Sequence, residues 1–167
     1  MMEFSAAIKL GLAFRPMTPA DMPFLSALYA STRADEVAAT GWPASVQRQF
    51  LQQQFEAQHR HYTAAYPDVE LLVIAKGGKD VGRLTLNETP ASIGLVDIAF
   101  LQGARGFGLG GAIVGDIVHH ARAVQKLINL HVETHNPAKR LYLRHGFVSI
   151  DDGGVYERME WSPITRR

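Results

Sequence analysis

The sequence predicts a mixed α/β (α+β) fold: one central, mostly antiparallel sheet of seven strands with helices on both faces. Three observations carry this. Apolar runs of strand length recur along the chain, several bounded by Gly, Pro, Asn and Asp clusters. Two stretches in the first half place apolar residues at helical spacing instead. A glycine-rich segment, Gly106 to Gly111, joins one strand run to an amphipathic helix that leads into another strand. A crossover of that kind pairs its strands in parallel with a right-handed connection.

Leu10 to Met17 alternates apolar and polar residues and reads as the first strand. Thr18-Pro19-Ala20-Asp21 supplies an N-cap, a proline at the first helical position and an acid in the first turn. A helix starts here and runs to about Ser31. Gly41-Trp42-Pro43 breaks the pattern. A longer helix begins near Pro43, carries Val46, Phe50, Leu51, Phe55 and Tyr62 at helical spacing, and ends at Tyr66-Pro67-Asp68. Val69 to Lys76 and Val81 to Asn87 flank Gly77-Gly78-Lys79-Asp80 as a hairpin. Thr89-Pro90-Ala91-Ser92 turns into a strand from Ile93 to Leu101. Ala112 to Gln125 is helical, with Ile113, Val114, Ile117 and Val118 on one side, and Leu127 to Glu133 is a strand. Pro137 to His145 is a short helix with Asn136 as N-cap and Gly146 past its end. Phe147 to Ile150 and Val155 to Trp161 close the sheet around Asp151-Asp152-Gly153-Gly154. The order is β-α-α-β-β-β-α-β-α-β-β.

The 167 residues suit a single domain, 1–167, with its core over about 10–161. With 47 % apolar and 20 % charged residues the composition is that of a globular protein, not a disordered one. A formal net charge of +1 and scattered basic residues give no reason to expect a nucleic acid or an anionic membrane as partner. Arg166-Arg167 reads as a solvated tail. The absence of cysteine excludes disulfides, thiolate metal sites and a cysteine nucleophile. The mildly apolar start, Met1 to Ile8, lacks a basic n-region and a long apolar core, and no apolar run reaches the ~20 residues of a membrane span. A soluble, cytoplasmic protein is expected.

Chemistry concentrates in the glycine segment. Its four glycines let the backbone approach a ligand and adopt positive φ. The helix behind it points free N–H groups and the positive end of its dipole at the same place, which suits phosphate. Arg105 adds a cation. A turn needed only for packing is the plain alternative. A P-loop is excluded because no lysine follows the glycines. Gly106-x-Gly108-x-x-Gly111 matches the dinucleotide fingerprint, and Glu133 ends the next strand where a ribose-binding acid would stand. Only 34 residues follow Glu133, too few for further βαβ units, and the strands before the loop meander.

A third pattern, Arg/Gln-x-x-Gly-x-Gly/Ala, is met by Arg105, Gly108 and Gly110. A second block joins it: Leu130, Val132 and Asn136 stand at the spacing Leu-x-Val-x-x-x-Asn, and Leu141, Tyr142, Gly146 and Phe147 at Leu-Tyr-x-x-x-Gly-Phe, with one residue fewer between the two parts than in Leu-x-Val-x-x-x-Asn-x-x-Ala-x-x-Leu-Tyr-x-x-x-Gly-Phe. With both blocks the chain resembles the GNAT superfamily of N-acetyltransferases, over nearly its whole length. The departure is the shorter step after Asn136, which puts Lys139 three residues past it where alanine is common while Ala138 adjoins it; it is expected to alter packing around the last helix more than chemistry.

The resemblance implies an enzyme that moves an acetyl group from acetyl-CoA directly to a primary amine in a ternary complex, with no metal. It implies that Ile98, Ala99 and Phe100 pair their backbone with the pantetheine arm. The amides of Arg105, Gly106, Phe107, Gly108, Leu109, Gly110 and Gly111 would hold the pyrophosphate, and Asn136 would contact the arm or substrate besides capping its helix. Tyr142 stands at the family's acid position, and a phenol suits a departing thiolate; a buried core aromatic is the competing reading. His131 occupies a position where some relatives carry a glutamate base, and an imidazole has a suitable pKa. His131 and Glu133 are expected on opposite faces of their strand, so that only one of them faces the cofactor. Asp97 interrupts an apolar strand and is either structural or a second base candidate. His119-His120 is expected on the exposed flank of its helix, and His135 has no trusted metal-ligand spacing. Acceptor specificity would come from the first two helices and their connection, around Thr32 to Val46. Trp42, Tyr62 and Tyr66 are candidate pocket aromatics, with packing on the sheet the favoured role. The acceptor stays open among small-molecule and peptide amines. Relatives often dimerise through sheet edges or C-terminal strands, so a homodimer is admitted. A CoA-binding sensor or interaction module without catalysis is the alternative from another class; the retained Tyr142 speaks against it. A dinucleotide-binding protein is the remote third.

Overall fold

The structure is a computed structural model that describes residues 2–164; Arg166 and Arg167 lie outside the described residues. The strands are β1 (Leu12–Pro16), β2 (Val69–Lys76), β3 (Lys79–Glu88), β4 (Ser92–Phe100), β5 (Leu127–Glu133), β6 (Val148–Asp151) and β7 (Tyr156–Trp161). The helices are α1 (Ser5–Lys9), α2 (Met22–Ala38), α3 (Ala44–Ala65), α4 (Leu109–Val124) and α5 (Ala138–Arg144). The seven strands form one sheet in the order β1-β2-β3-β4-β5-β7-β6. Every pairing is antiparallel except β4 with β5. The expected mixed sheet and element order are observed.

The two faces of the sheet bury different things. On one face α1 and α4 cover a large apolar core that includes Ile74, Leu84, Ile93, Ile113, Ile117 and Ile128. On the other, α2 and α3 form a smaller cluster in which Leu25, Tyr29 and Phe55 are buried. Because β3 lies inside the sheet and is covered on both sides, its polar residues Arg83 and Thr85 are buried as fully as Leu84 and Leu86.

Three details differ from the sequence reading. The helix α1 is additional. It is five residues long and is held by Asp116 of α4, whose carboxylate accepts the amides of Ala6 and Ala7, each at 2.9 Å. Helix α2 continues seven residues past Ser31, because Thr32 to Ala38 contains no helix breaker. Only Phe55 of the apolar residues expected to line α3 is buried; Val46 and Phe50 are exposed at its start.

The entry to α2 follows the sequence closely. Thr18 caps a short 3-10 turn (Pro19–Asp21), with reciprocal contacts between Thr18 and Asp21. Arg15 of β1 grips both oxygens of Asp21 at 2.8 Å and reaches Asp80 at the start of β3 at 3.0 Å. The Arg15 guanidinium and the Thr18 amide hold the Asp21 carboxyl well below the usual carboxylate range. A depressed folded-state pKa contributes stability that is complete above the ordinary carboxylate value, about 4, and is lost as pH falls through the lower folded value. The melting temperature is therefore expected to fall as pH drops below about 5, and to go on falling at the lowest pH the fold survives. Asp21→Asn is expected to start lower at the higher pH and to lose less on acidification, as read by circular-dichroism melts. Equal slopes in the two proteins would show that Asp21 carries none of the dependence.

Candidate active site

Strands β4 and β5 pair over only three positions, Ser92–Gly94 with Leu127–Asn129. Both continue beyond these, to Phe100 and Glu133, without pairing each other. The sheet therefore opens between them, and a cleft of about 730 Å³ occupies the opening. Its floor includes Asp97, Ile98, Ala99 and Phe100. One edge of this β4 segment bonds to β3, with a bulge where Thr85 faces Asp97 and Leu86 faces Leu95. The other edge offers its backbone groups to the cleft.

The glycine segment ends the cleft on one side. Residues Gln102–Ala104 form a 3-10 turn, and Gly108 is the N-cap of α4, so Leu109, Gly110 and Gly111 are the first helical residues. Their amides have no intrahelical acceptor and carry the positive end of a 16-residue helix. The glycines divide their labour. Gly106 and Gly108 have φ of 85° and 76°, and a Cβ at either would meet nothing within 4 Å. They are required by backbone conformation. Gly110 and Gly111 instead receive Leu141 of α5, at 3.6 and 3.5 Å from where a Cβ would stand. Arg105 Nε donates to the Phe100 carbonyl at 2.9 Å, which folds this side chain against the end of β4 and into the cleft wall. Leu109 is core and Phe107 is 64 % exposed, so these two side chains do not line the cleft.

Across from the helix N-terminus, charge is paired. Asp97 forms an ion pair with Nε of Arg83, whose Nη2 donates to Gln58 of α3 at 3.1 Å. Arg33 of α2 reaches Glu133 of β5 at 3.0 Å and Glu36 at 3.3 Å. Both guanidiniums lie against the Tyr29 ring, at 5.8 and 6.0 Å from its centroid. Tyr142 of α5 lines the cleft from the opposite wall and packs at 5.7 Å on Phe147. Burial, with the nearby charge of Asp97, pushes its hydroxyl up to about 12. Burial and the charge of Asp97 also raise the Tyr62 hydroxyl on α3. Asp97, Arg83 and Tyr142 thus line one cleft, and Tyr62 lines the recess behind Arg83. Arg83 was not anticipated: in sequence it is the polar half of an alternating strand, and only the covering of β3 by α2 and α3 buries it.

Asn136 lines the cleft, and its Oδ1 accepts the amide of Ala138 at 2.9 Å; the N-cap of α5 is Pro137, one residue later than expected, with Asn136 bonding the first helical amide from just before it. The expectation that His131 and Glu133 face opposite sides is wrong. Residues two apart on a strand share a face, and it is Leu130 and Val132 that turn into the core. Of the pair, Glu133 lines the cleft and His131 is exposed outside it. His119 is exposed, but His120 is half-buried with Nε2 3.2 Å from Glu88. Trp42 stacks edge-on with Phe50 at 5.4 Å, away from the cleft lining. Tyr62 lines a small apolar recess behind Arg83 together with Phe55 and Leu25.

The chain matches the acetyltransferase (GNAT) family over residues 31–147 and belongs to that family. No curated protein sequence matches it. Among solved structures it is similar to the PaiA N-acetyltransferase from Thermoplasma acidophilum in complex with coenzyme A, with a TM-score of 0.65 and 13 % identity over 90 % of this chain and 98 % of that one. It is similar to an acetyltransferase from Thermus thermophilus, with a TM-score of 0.65 and 20 % identity over 90 % and 96 % of the two chains. A third is spermidine N-acetyltransferase from Vibrio cholerae in complex with CoA and spermine, with a TM-score of 0.61 and 17 % identity over 92 % and 96 %. Among the described residues, no helix is long and apolar enough to cross a membrane.

The Arg83–Asp97 pair gives a direct check of the cleft wall. Arg83→Met leaves a carboxylate without its cation in a largely buried wall, which is expected to cost about 3 kcal/mol. Adding Asp97→Asn should recover part of that loss, measured as melting temperature or by denaturant titration. Additive losses would show that the two side chains do not interact in solution.

Proposed function

We propose that this acetyltransferase moves an acetyl group from acetyl-CoA directly to a primary amine, both substrates being bound in the one cleft. The observation that carries the reading is the meeting, in the opening between β4 and β5, of three features. These are an unpaired strand edge at Ile98–Phe100, a helix N-terminus with open glycine backbone, and a buried phenol. The cleft fits the cofactor. The β4 edge matches the amide groups of a pantetheine arm, the free amides of α4 match a pyrophosphate, and Arg105 adds a cation beside them. The solved relatives from T. acidophilum and V. cholerae contain coenzyme A, which supports the same assignment.

Acetyl-CoA supplies the thioester; the chain's residues manage protons and position. At about 12, the Tyr142 hydroxyl is protonated throughout the physiological range. An ordinary thiol has a pKa of about 8.5, so net loss of the tyrosine proton to the thiolate runs uphill. Tyr142 therefore acts as a hydrogen-bond donor that stabilises charge developing on sulfur. The proton that finally rests on the thiol originates from the amine. Asp97, ion-paired to Arg83 and in the same cleft lining as Tyr142, orients the amine and takes up its proton, directly or through water. Glu133, held by Arg33, flanks the acceptor end. An amine of small size is supported by the relative solved with spermine.

Millimolar acetyl-CoA is expected to raise the melting temperature by several degrees, whereas NADH is expected to leave it unchanged. With CoA release measured over a panel of spermine, lysine and a short peptide, Tyr142→Phe is expected to lower kcat on the order of tenfold to a hundredfold. Its Kd for CoA should stay within about threefold of wild type. No thermal shift with acetyl-CoA would overturn the reading; CoA binding without acyl transfer to any amine would convert it to a binding module.

A further inference from the structure

Helix α5 carries Tyr142 but is poorly equipped to fix it. Seven residues make two turns, well below the length at which a helix is stable alone. It rests on α4 through Leu141 beside Gly110 and Gly111, and through His145, just past its end, whose ring stands 3.5 Å from where a Cβ on Gly115 would be. A glycine surface allows close approach but offers no ridges to interlock, so these contacts set a distance more than a register. A polar anchor supplies what they lack. Glu157 of β7 is 2 % exposed and shares the inward face of its strand with Met159 and Trp161. Its Oε2 lies 2.6 Å from Nζ of Lys139, in the first turn of α5. Lys139 first, and the Ser149 hydroxyl of β6 second, hold this carboxyl below the usual carboxylate range. One carboxylate thus holds both ends of the segment 139–149, with Tyr142 one turn along from Lys139.

The choice of residue at 157 is informative. A buried charge is expensive, and an apolar side chain like its neighbours Met159 and Trp161 would serve stability as well or better. The reward of a charge pair is direction: a carboxylate accepts from defined angles and a long lysine reaches one place. Neither Lys139 nor Glu157 lines the cleft, so neither touches substrate.

We propose that Glu157, with Lys139 and Ser149, is the positioning device for Tyr142, a buried clasp that sets where the phenol points into the cleft. The proposal rests on the reading of Tyr142 as the donor to sulfur. It is tested by acetyl-CoA turnover, with the best amine of the panel or, where none is used, by hydrolysis to water. Glu157→Gln and Lys139→Met are each expected to lower kcat on the order of tenfold. The KM for acetyl-CoA and the Kd for CoA should move by less than about threefold. Lys139→Arg, which keeps a cation, should restore most of the rate. In the Glu157→Gln background, Tyr142→Phe should add little, because the donor is already misplaced.

Losses of Glu157→Gln and Tyr142→Phe that multiply would overturn the proposal. So would a lowered melting temperature with kcat unchanged. Should Glu157→Gln fail to fold, Lys139→Met carries the same measurements, since that side chain is 32 % exposed. Full rate in Tyr142→Phe alone would overturn the donor reading itself; slow Tyr142→Phe beside full-rate Lys139→Met would overturn only the clasp.

Discussion

The short parallel pairing of β4 with β5 is the constraint on which the site depends. Three matched positions hold the two halves of the sheet together, and past Gly94 and Asn129 the strands separate. The crossover between them must contain α4, so the free end of that helix arrives at the mouth of the gap. The same parting leaves one edge of β4 without a partner. A closed sheet of the same strands would have neither the cleft nor the unsatisfied backbone that makes it adhesive for a ligand rich in amides and phosphate.

The two covered faces then divide the work. The face of α1 and α4 is apolar and supplies most of the core. The face of α2 and α3 covers a sheet surface that contains Arg83 and Asp97, and burial there makes pairing obligatory. The result is a wall in which arginines and carboxylates alternate around Tyr29, facing a phenol on the far side. Charge pairs between α2 and β5 and between β3 and β4 hold this wall of the cleft, while α5 forms the opposite one.

Much of this was legible in the sequence because the signals were local. The strands at Val69–Lys76 and Leu127–Glu133 fall where their apolar runs begin and end, and the Thr18 cap is written in four consecutive residues. The glycine segment and the Asn136-to-Phe147 block drew attention to Arg105, Gly110, Asn136 and Tyr142, which the structure brings to one cleft. What was not legible depends on distant residues. Helix α1 exists because Asp116, more than a hundred residues on, accepts its first amides. Arg83 looks like a solvent-facing strand residue until two helices cover it, and its partner Asp97 lies diagonally across an antiparallel pair. Glu157 is hidden in the same way, as an acid in an ordinary alternating strand. The misplacing of His131 and Glu133 had a simpler cause, a failure to apply the two-residue period of the strand.

The central claim is that the parting of β4 and β5 is itself the binding site. Amide hydrogen exchange with and without CoA tests it most directly. The account predicts added protection at Ile98 to Phe100 and at the amides of Arg105 to Gly111, with little change on β1, β6 or the start of α3. Protection confined to those outer elements, with β4 and the α4 N-terminus unchanged, would contradict it.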